Sequence, residues 1–426
     1  MTATGDTIYA LSSGRPPAAI AVVRISGPDA GAGLRRMTVM PTPRRASASI
    51  LRHPVTRDIL DEALVLWMPG PASATCEDVV ELHLHGGRAV VDAVLGVLGS
   101  LPGYRHALPG EFTRRAFENG RIDLNEAEGL ADLLAAETDG QRRNALLAAG
   151  GVFSRQVETW RVRLLGIAAS VEAAIDFSDE AEVTAYDATE PTRAARRLAD
   201  DIEQALRSPS AERLKDGIRV VVAGPPNVGK SSLINALCRR EAAIESPIAG
   251  TTRDIIEVPI QISGVPLILM DTAGLRDTND DVEREGIVRA ERAFAAADIV
   301  LWLGEAEAPN HDQLIGISPQ ADRFPVLDGR LPVSSRTGLN LDVLTQDIVQ
   351  RAAKHLPREG TLALNRRQRS SARELQRSLI AAADLSDLVL LAEELRTALS
   401  ICERISGRSG VEDMLDALFG SFCLGK

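Results

Sequence analysis

Along residues 1–118, short apolar runs separated by turn formers dominate: AIAVVRISG, ALVLWMPG and DVVELHLHGG read as strands, and AVVDAVLGVLGSL after the third has a helical texture. The mixture predicts a small α+β domain. From 119 to 216 breakers become scarce and Ala, Leu, Glu and Arg prevail, as in LNEAEGLADLLAAETDGQRRNALLAAGG and TRAARRLADDIEQALRS, which predicts long amphipathic helices. At 218 the texture changes again to a β-branched run, IRVVVA, and strands alternate with helices to about 355. Helix-forming sequence returns in QRSSARELQRSLIAAA and LVLLAEELRTALSICERI. The economical reading is a helical domain in two parts, 119–216 and 357–426, with an α/β domain at 217–356 inserted into it, because inserted domains leave and rejoin their host at neighbouring points. Domains arranged in series are the alternative.

The first strand of the α/β block runs into GPPNVGKS, Gly224 to Ser231, and then SLINAL, so strand, glycine loop and helix occur in the order of a phosphate-binding P-loop. Backbone N–H groups around Gly224, Asn227, Val228, Gly229, Lys230, Ser231 and Ser232 would face the phosphates; Lys230 would reach the β- and γ-phosphates and Ser231 would ligate Mg²⁺. A second strand, PLILM, ends in DTAG, where Asp271 can hold the metal shell and Gly274 leaves room near the γ-phosphate. Between them GTTRD offers Thr251 and Thr252, one hydroxyl of which could close the metal shell. Together these describe a GTPase-like nucleotide switch, with an ATPase on the same loop as the competing reading.

After the DTAG glycine, where many small GTPases place a water-orienting glutamine, stands Leu275, which forms no side-chain hydrogen bond. Either hydrolysis is very slow or the polar stretch that follows supplies a substitute, of which Glu283 is the preferred one, its alternative role being an ordinary first-turn helix acid. Asn227 could bind a monovalent cation beside the β- and γ-phosphates, or simply form a turn.

Guanine reading normally uses NKxD, which is missing. Asp322 in PQAD is the nearest candidate, with Ser334, Ser335 and Arg336 after RLPV as the second base-facing loop. Only ten residues separate the end of DIVLWL at 303 from Leu314, too few for a crossover helix, so either the sheet is trimmed or 314 does not begin a strand.

Composition narrows the partners. Of 426 residues, 45% are hydrophobic, ample for several cores, and 48 Lys and Arg against 59 Asp and Glu give −11, so any RNA contact must be local. Four scattered cysteines suggest neither a zinc knuckle nor a disulfide framework. No apolar run is long enough to span a bilayer and the start lacks a signal-like pattern, so the chain reads as cytoplasmic, with no membrane partner. His83 and His85 could share a strand face but lack a third metal ligand. Arg24, Arg121 and Lys426 could face carboxylates and Glu81 could accept N–H groups, although each alone is commonly a surface charge.

The motifs GPPNVGKSSLINAL, GTTRD and DTAGLR, with VRISGP at 23–28, EDVVELHLHGG at 77–87, PGEFTRRAFENGRIDLNEAE at 109–128, VEAAIDFSDE at 171–180 and the terminal FCLGK, resemble the bacterial tRNA modification GTPases of the MnmE (TrmE) family over nearly the whole chain. The resemblance implies an N-terminal α+β domain at 1–118 that binds 5-formyl-tetrahydrofolate or another one-carbon tetrahydrofolate and forms a homodimer. It also implies potassium-dependent GTP hydrolysis, and a heterotetramer with the FAD-containing partner MnmG (GidA) that installs an aminomethyl or carboxymethylaminomethyl group on C5 of the tRNA wobble uridine. By motif, Asn227, Ser246, Ile248 and Thr251 resemble the K⁺ site, Ser231 and Thr252 the Mg²⁺ ligands, and Glu283 the acid supporting the hydrolytic water. Arg24, Glu81, Arg121 and Lys426 resemble the folate positions; Cys423 resembles a cysteine once considered for catalysis. A regulatory GTP switch outside the tRNA chemistry and a ribosome-associated GTPase are the competing functions; the negative charge speaks against the latter.

Overall fold

The computed structural model describes residues 5–176, 189–240, 256–271, 294, 296–305, 308, 310–358, 360–408 and 412–425. The chain divides into two compact units, Met1–Ala131 with Glu403–Lys426, and Asp132–Cys402.

In the first unit, period-two alternation builds a six-stranded sheet: β1 (Thr7–Leu11), β2 (Ile20–Ser26), β3 (Ser47–Arg52), β4 (Ile59–Met68), β5 (Val79–His85) and β6 (Tyr104–His106), in the order β3-β4-β5-β2-β1-β6. Every pairing is antiparallel except β1 with β6. In β5, Val80, Leu82 and Leu84 point into a core with Trp67, Leu34 and Met37 from Ala30–Met37 and Val94 and Leu98 from Arg88–Gly99. The intervening Glu81, His83 and His85 occupy the other face.

That second face is covered only in part. Ile8 and Ala10 lie beneath Phe112 of the helix Glu111–Glu118, whereas Ile20, Ile50 and Leu64 are 58%, 43% and 40% exposed. The helix is anchored by charge: Arg115, nearly buried, donates to Asp6 Oδ1 at 2.8 Å and to both Glu77 oxygens at 3.2 Å, and Arg105 donates to Glu111 at 2.8 Å. Burial opposes ionisation of Glu111, but hydrogen bonds from Arg105 and the Leu108 amide hold its carboxyl below the usual range. The C-terminal helix Glu412–Gly420 joins this unit through Leu415, Phe419 and Phe422, which pack on Leu124 and Phe117. Its approach depends on Gly110, whose backbone is left-handed (φ 69°) and where a Cβ would lie 2.3 Å from the Phe419 carbonyl. Beyond it, Ser12 donates to the Gly425 carbonyl at 2.9 Å, fastening the tail to the residue after β1.

The second unit holds another six-stranded sheet: β7 (Ile218–Ala223), β8 (Ile256–Ile262), β9 (Val265–Asp271), β10 (Ile299–Leu303), β11 (Leu314–Ser318) and β12 (Leu331–Pro332), in the order β12-β11-β10-β7-β9-β8. It is parallel apart from the β8–β9 hairpin, whose two-residue turn, Ser263-Gly264, has positive φ at both positions. Val220, Val222, Leu269, Leu301 and Ile317 pack with Leu233 and Leu237 of Lys230–Arg240 and Leu344 and Ile348 of Leu341–Ala352. The residue at 314 does begin a strand, registered on β10 with Val300 opposite Leu314. The sheet is trimmed instead: no described residue of the connection 304–313 is helical.

The same unit also holds the helices Asp139–Ala149, Val152–Asp176, Thr189–Leu206 and Arg366–Ala383. Thr138 and Asn365 each open their helix with a capping box completed by Gln141 and Gln368. Thr189–Leu206, before the α/β block, packs along Arg366–Ala383, after it, burying Leu198, Ile202, Leu375 and Leu379. The chain leaves and rejoins the helices side by side: Ala211 N donates to Leu364 O at 3.0 Å, Ala363 N to Asn144 Oδ1 at 2.8 Å, and Gln141 Nε2 to Leu214 O at 2.8 Å. The architecture is multidomain, with an α+β N-terminal part and a P-loop α/β domain inserted among helices.

Candidate functional site

The loop after β7 crosses the end of β10 so closely that residue size is dictated. A Cβ on Gly224 (φ 143°) would lie 2.2 Å from the Leu303 carbonyl, and one on Gly304 would press on Val228 and Pro225. Gly229 is also left-handed, and Asn227 takes φ 58°, a conformation that Asn tolerates better than other side chains. Asn227 is exposed on the loop's crest. Lys230, 8% exposed, opens the helix Lys230–Arg240 and extends its ammonium back across the loop, donating to the Gly224 carbonyl at 3.1 Å and the Pro225 carbonyl at 2.9 Å. The next side chain, Ser231, donates to Asp271 Oδ2 at 2.8 Å. Asp271 ends β9 and pairs in register with Val222 of β7, so parallel pairing brings loop hydroxyl and strand-end carboxylate together. A hydroxyl beside a carboxylate at a helix N-terminus is a donor set suited to a hard divalent cation.

Beside the loop lies a cavity of about 240 Å³ lined by Gly229, Ser232, Gln320, Asp322, Ser334 and Arg336, among others. It joins three segments distant in sequence. Ser334, fully buried, donates to Asp322 Oδ1, and Arg336 donates to Oδ2 through Nε at 2.9 Å and through a second nitrogen. The Ser334 bond and the Arg336 fork hold the Asp322 carboxyl below the usual carboxylate range. Ser335 lines the same cavity. Sequence reasoning missed Gln320 as a lining residue. Its left-handed backbone (φ 52°) aims its side chain at the phosphate loop, with Nε2 3.5 Å from where a Cβ on Gly229 would stand. Its position two residues before Asp322, where NKxD carries lysine, was the available signal.

In the first unit, Arg24 on β2 and Glu81 on β5 are register partners and form an ion pair, with Nε and a terminal nitrogen donating to Oε1 at 3.0 and 2.9 Å. His83 Nε2 lies 3.4 Å from Glu81 Oε2 and the Arg24 guanidinium stacks over Phe112, 5.8 Å from the ring centre; neither neighbour is evident from the sequence. Arg121 stands exposed on the turn after Glu111–Glu118. Ser246, Ile248, Thr251, Thr252, Gly274, Glu283 and Lys426 lie outside the described residues. Among the described residues no three His, Cys, Asp or Glu side chains gather to hold a metal, and no helix is long and apolar enough to cross a membrane. Cys76, Cys238 and Cys423 take part in no disulfide, and Cys423 is exposed.

Residues 7–121 match the family described as GTP-binding protein TrmE N-terminus, and residues 124–423 match the MnmE helical domain. The tRNA modification GTPase MnmE of Rhizorhabdus wittichii is 54% identical over 426 residues, covering 99% of this chain and 97% of the relative. Those of Erythrobacter litoralis and Zymomonas mobilis are 51% and 48% identical, each covering 99% of this chain and 100% of the relative. Among solved structures, the G domain of the T. maritima FeoB iron transporter aligns with 32% of this chain and 98% of its own at 24% identity and a TM-score of 0.24, too slight a likeness to argue from.

Proposed function

The chain belongs to the MnmE family of tRNA modification GTPases, and from that membership we propose that its GTP hydrolysis serves the C5 (carboxymethyl)aminomethylation of the tRNA wobble uridine. In this reading it works as a cytoplasmic homodimer, in a heterotetramer with the FAD-containing MnmG (GidA), using 5-formyl-tetrahydrofolate or another one-carbon tetrahydrofolate. The working division is 1–118 for folate and dimerisation, 119–216 and 357–426 for the helical domain, and 217–356 for the GTPase domain.

The observation that carries the nucleotide assignment is the continuity of the Gly224–Ser232 loop with the cavity before Asp322. The loop amides and Lys230 take the phosphates, and the cavity takes the base, whose N–H groups Asp322 accepts. Ser231 and Thr252 would hold Mg²⁺, with Asp271 steadying its shell, which the 2.8 Å contact between Ser231 and Asp271 supports. Asn227, Ser246, Ile248 and Thr251 would hold K⁺, for which the exposed amide on the loop crest is a fitting donor. Bound there, the two cations neutralise charge on the phosphates. Glu283 is assigned to orienting the water, the task that Leu275 cannot perform.

For folate, Glu81 would accept pterin N–H groups, with Arg24, Arg121 and Lys426 facing carboxylates. What supports this is the paired Arg24–Glu81 on a sheet face that the helix Glu111–Glu118 covers only in part. The same half-bare face supports the homodimer, because Ile20, Ile50 and Leu64 offer apolar area for a second copy.

Turnover of GTP and of ATP by the full chain, each in KCl and in NaCl, tests the reading. GTP is expected to be hydrolysed faster in KCl, with ATP turned over far more slowly in both. Equal rates for the two nucleotides would remove the base assignment, and equal GTP rates in the two salts the potassium site.

A further inference from the structure

Asp322 is the carboxylate placed to read a base, yet the protein's own donors already occupy both its oxygens. Ser334 takes Oδ1 and Arg336 takes Oδ2. The two contacts differ in how easily they open. Ser334 is fully buried and its hydroxyl also receives the Thr337 amide at 3.2 Å, so it belongs to the loop's framework. Arg336 is different: its side chain is 62% exposed against 11% for Asp322, and it reaches in from solvent at the wall of the cavity. Arg323 stands 3.8 Å from the same oxygen, too far to hydrogen-bond.

We propose that Arg336 is an internal competitor for the base-reading carboxylate, displaced from Asp322 when a guanine brings its N1–H and exocyclic amine, and recapturing Asp322 as the base departs. This rests on the reading of Asp322 as the guanine acceptor. A carboxylate 11% exposed that loses its donors bears a desolvation penalty, and that penalty ordinarily holds a bound base in place. A long, exposed guanidinium removes the penalty from the empty state. Bound nucleotide is thereby weakened relative to empty protein, and release is quickened, because the departing N–H groups are exchanged for Arg336 rather than for a bare charge. Adenine presents an acceptor at N1 where guanine has a donor, so it cannot take the place of Arg336, and ATP binding is independent of it.

The test uses the full chain and GDP carrying a fluorescent ribose label. Release is followed by stopped flow, affinity by titration, and ATP by competition. Arg336→Ala is expected to slow release by roughly two- to fivefold and to tighten GDP by a similar factor, the scale of a partly exposed ion pair, while leaving ATP unchanged. Arg336→Lys, which keeps the charge but not the fork, should fall between. Unchanged or faster release from Arg336→Ala would overturn the proposal. Asp322→Asn separates the two layers of the argument: it should weaken GDP and improve xanthosine diphosphate. If it leaves GDP binding as it was, the base assignment falls and the competitor with it. If it weakens GDP while Arg336→Ala has no effect, the base assignment stands and only the competitor is lost.

Discussion

Gly224 shows how much a single position decides. With φ of 143° and a neighbouring carbonyl 2.2 Å from any added Cβ, it is where β7, the phosphate loop and the end of β10 meet. Gly224→Ala introduces both backbone strain and a collision with main chain, a combined cost of about 1–3 kcal/mol. Thermal unfolding of the variant is expected several degrees below that of the parent, together with lost GTP binding; an unchanged melting temperature would mean the loop does not need the close approach. Lys230 was legible as a residue because GPPNVGKS is local, and its two carbonyl partners, Gly224 and Pro225, lie in that same loop, whereas the 2.8 Å contact of Ser231 with Asp271 depends on strands brought into register across the sheet. For Gln320 the sequence offered only its place where NKxD carries lysine; that its side chain lies toward Gly229 depends on how the loop after β11 meets the phosphate loop.

Among elements, strands were read more securely than their connections. Alternation in VVELHLH states which residues share a face, and the structure keeps that division, with Val80, Leu82 and Leu84 inside. What alternation leaves open is which face is covered. Here the core side is sealed by two helices, while the side carrying Arg24, Glu81 and Leu64 is sealed only at one end by Phe112. If a second copy completes that face, Leu64→Asp should leave the fold intact, because the position is already 40% exposed. It should also shift the chain from dimer to monomer in sedimentation velocity; a persistent dimer would place the contact elsewhere. The short connection to β11 teaches a complementary lesson: ten residues looked too few for a parallel crossover, yet they suffice when no helix has to be accommodated.

At the scale of the molecule, insertion of the α/β domain follows from the neck, where Ala211 bonds to Leu364 and Asn144 to Ala363, and from the packing of Thr189–Leu206 on Arg366–Ala383. The tail's path matters equally, since the Gly425 carbonyl accepts from Ser12 beside the end of β1. With Lys426 assigned to the folate positions and not to the nucleotide site, its deletion is expected to abolish wobble-uridine modification in a complemented strain while GTP turnover by the purified protein stays within about twofold. Retained modification would favour a regulatory switch that leaves the tRNA chemistry to others.

By itself the sequence determined whatever is encoded within a dozen or so neighbouring residues: the phosphate loop, the strand faces and the family's motifs. Periodicity and turn chemistry act locally on the backbone, so they can be read locally. Only the tertiary structure decided which distant groups meet, among them Arg24 with Glu81, Ser231 with Asp271, Arg336 with Asp322, and the tail with β1. Those meetings depend on strand order and helix docking, which the burial of whole faces selects and no short stretch of residues specifies.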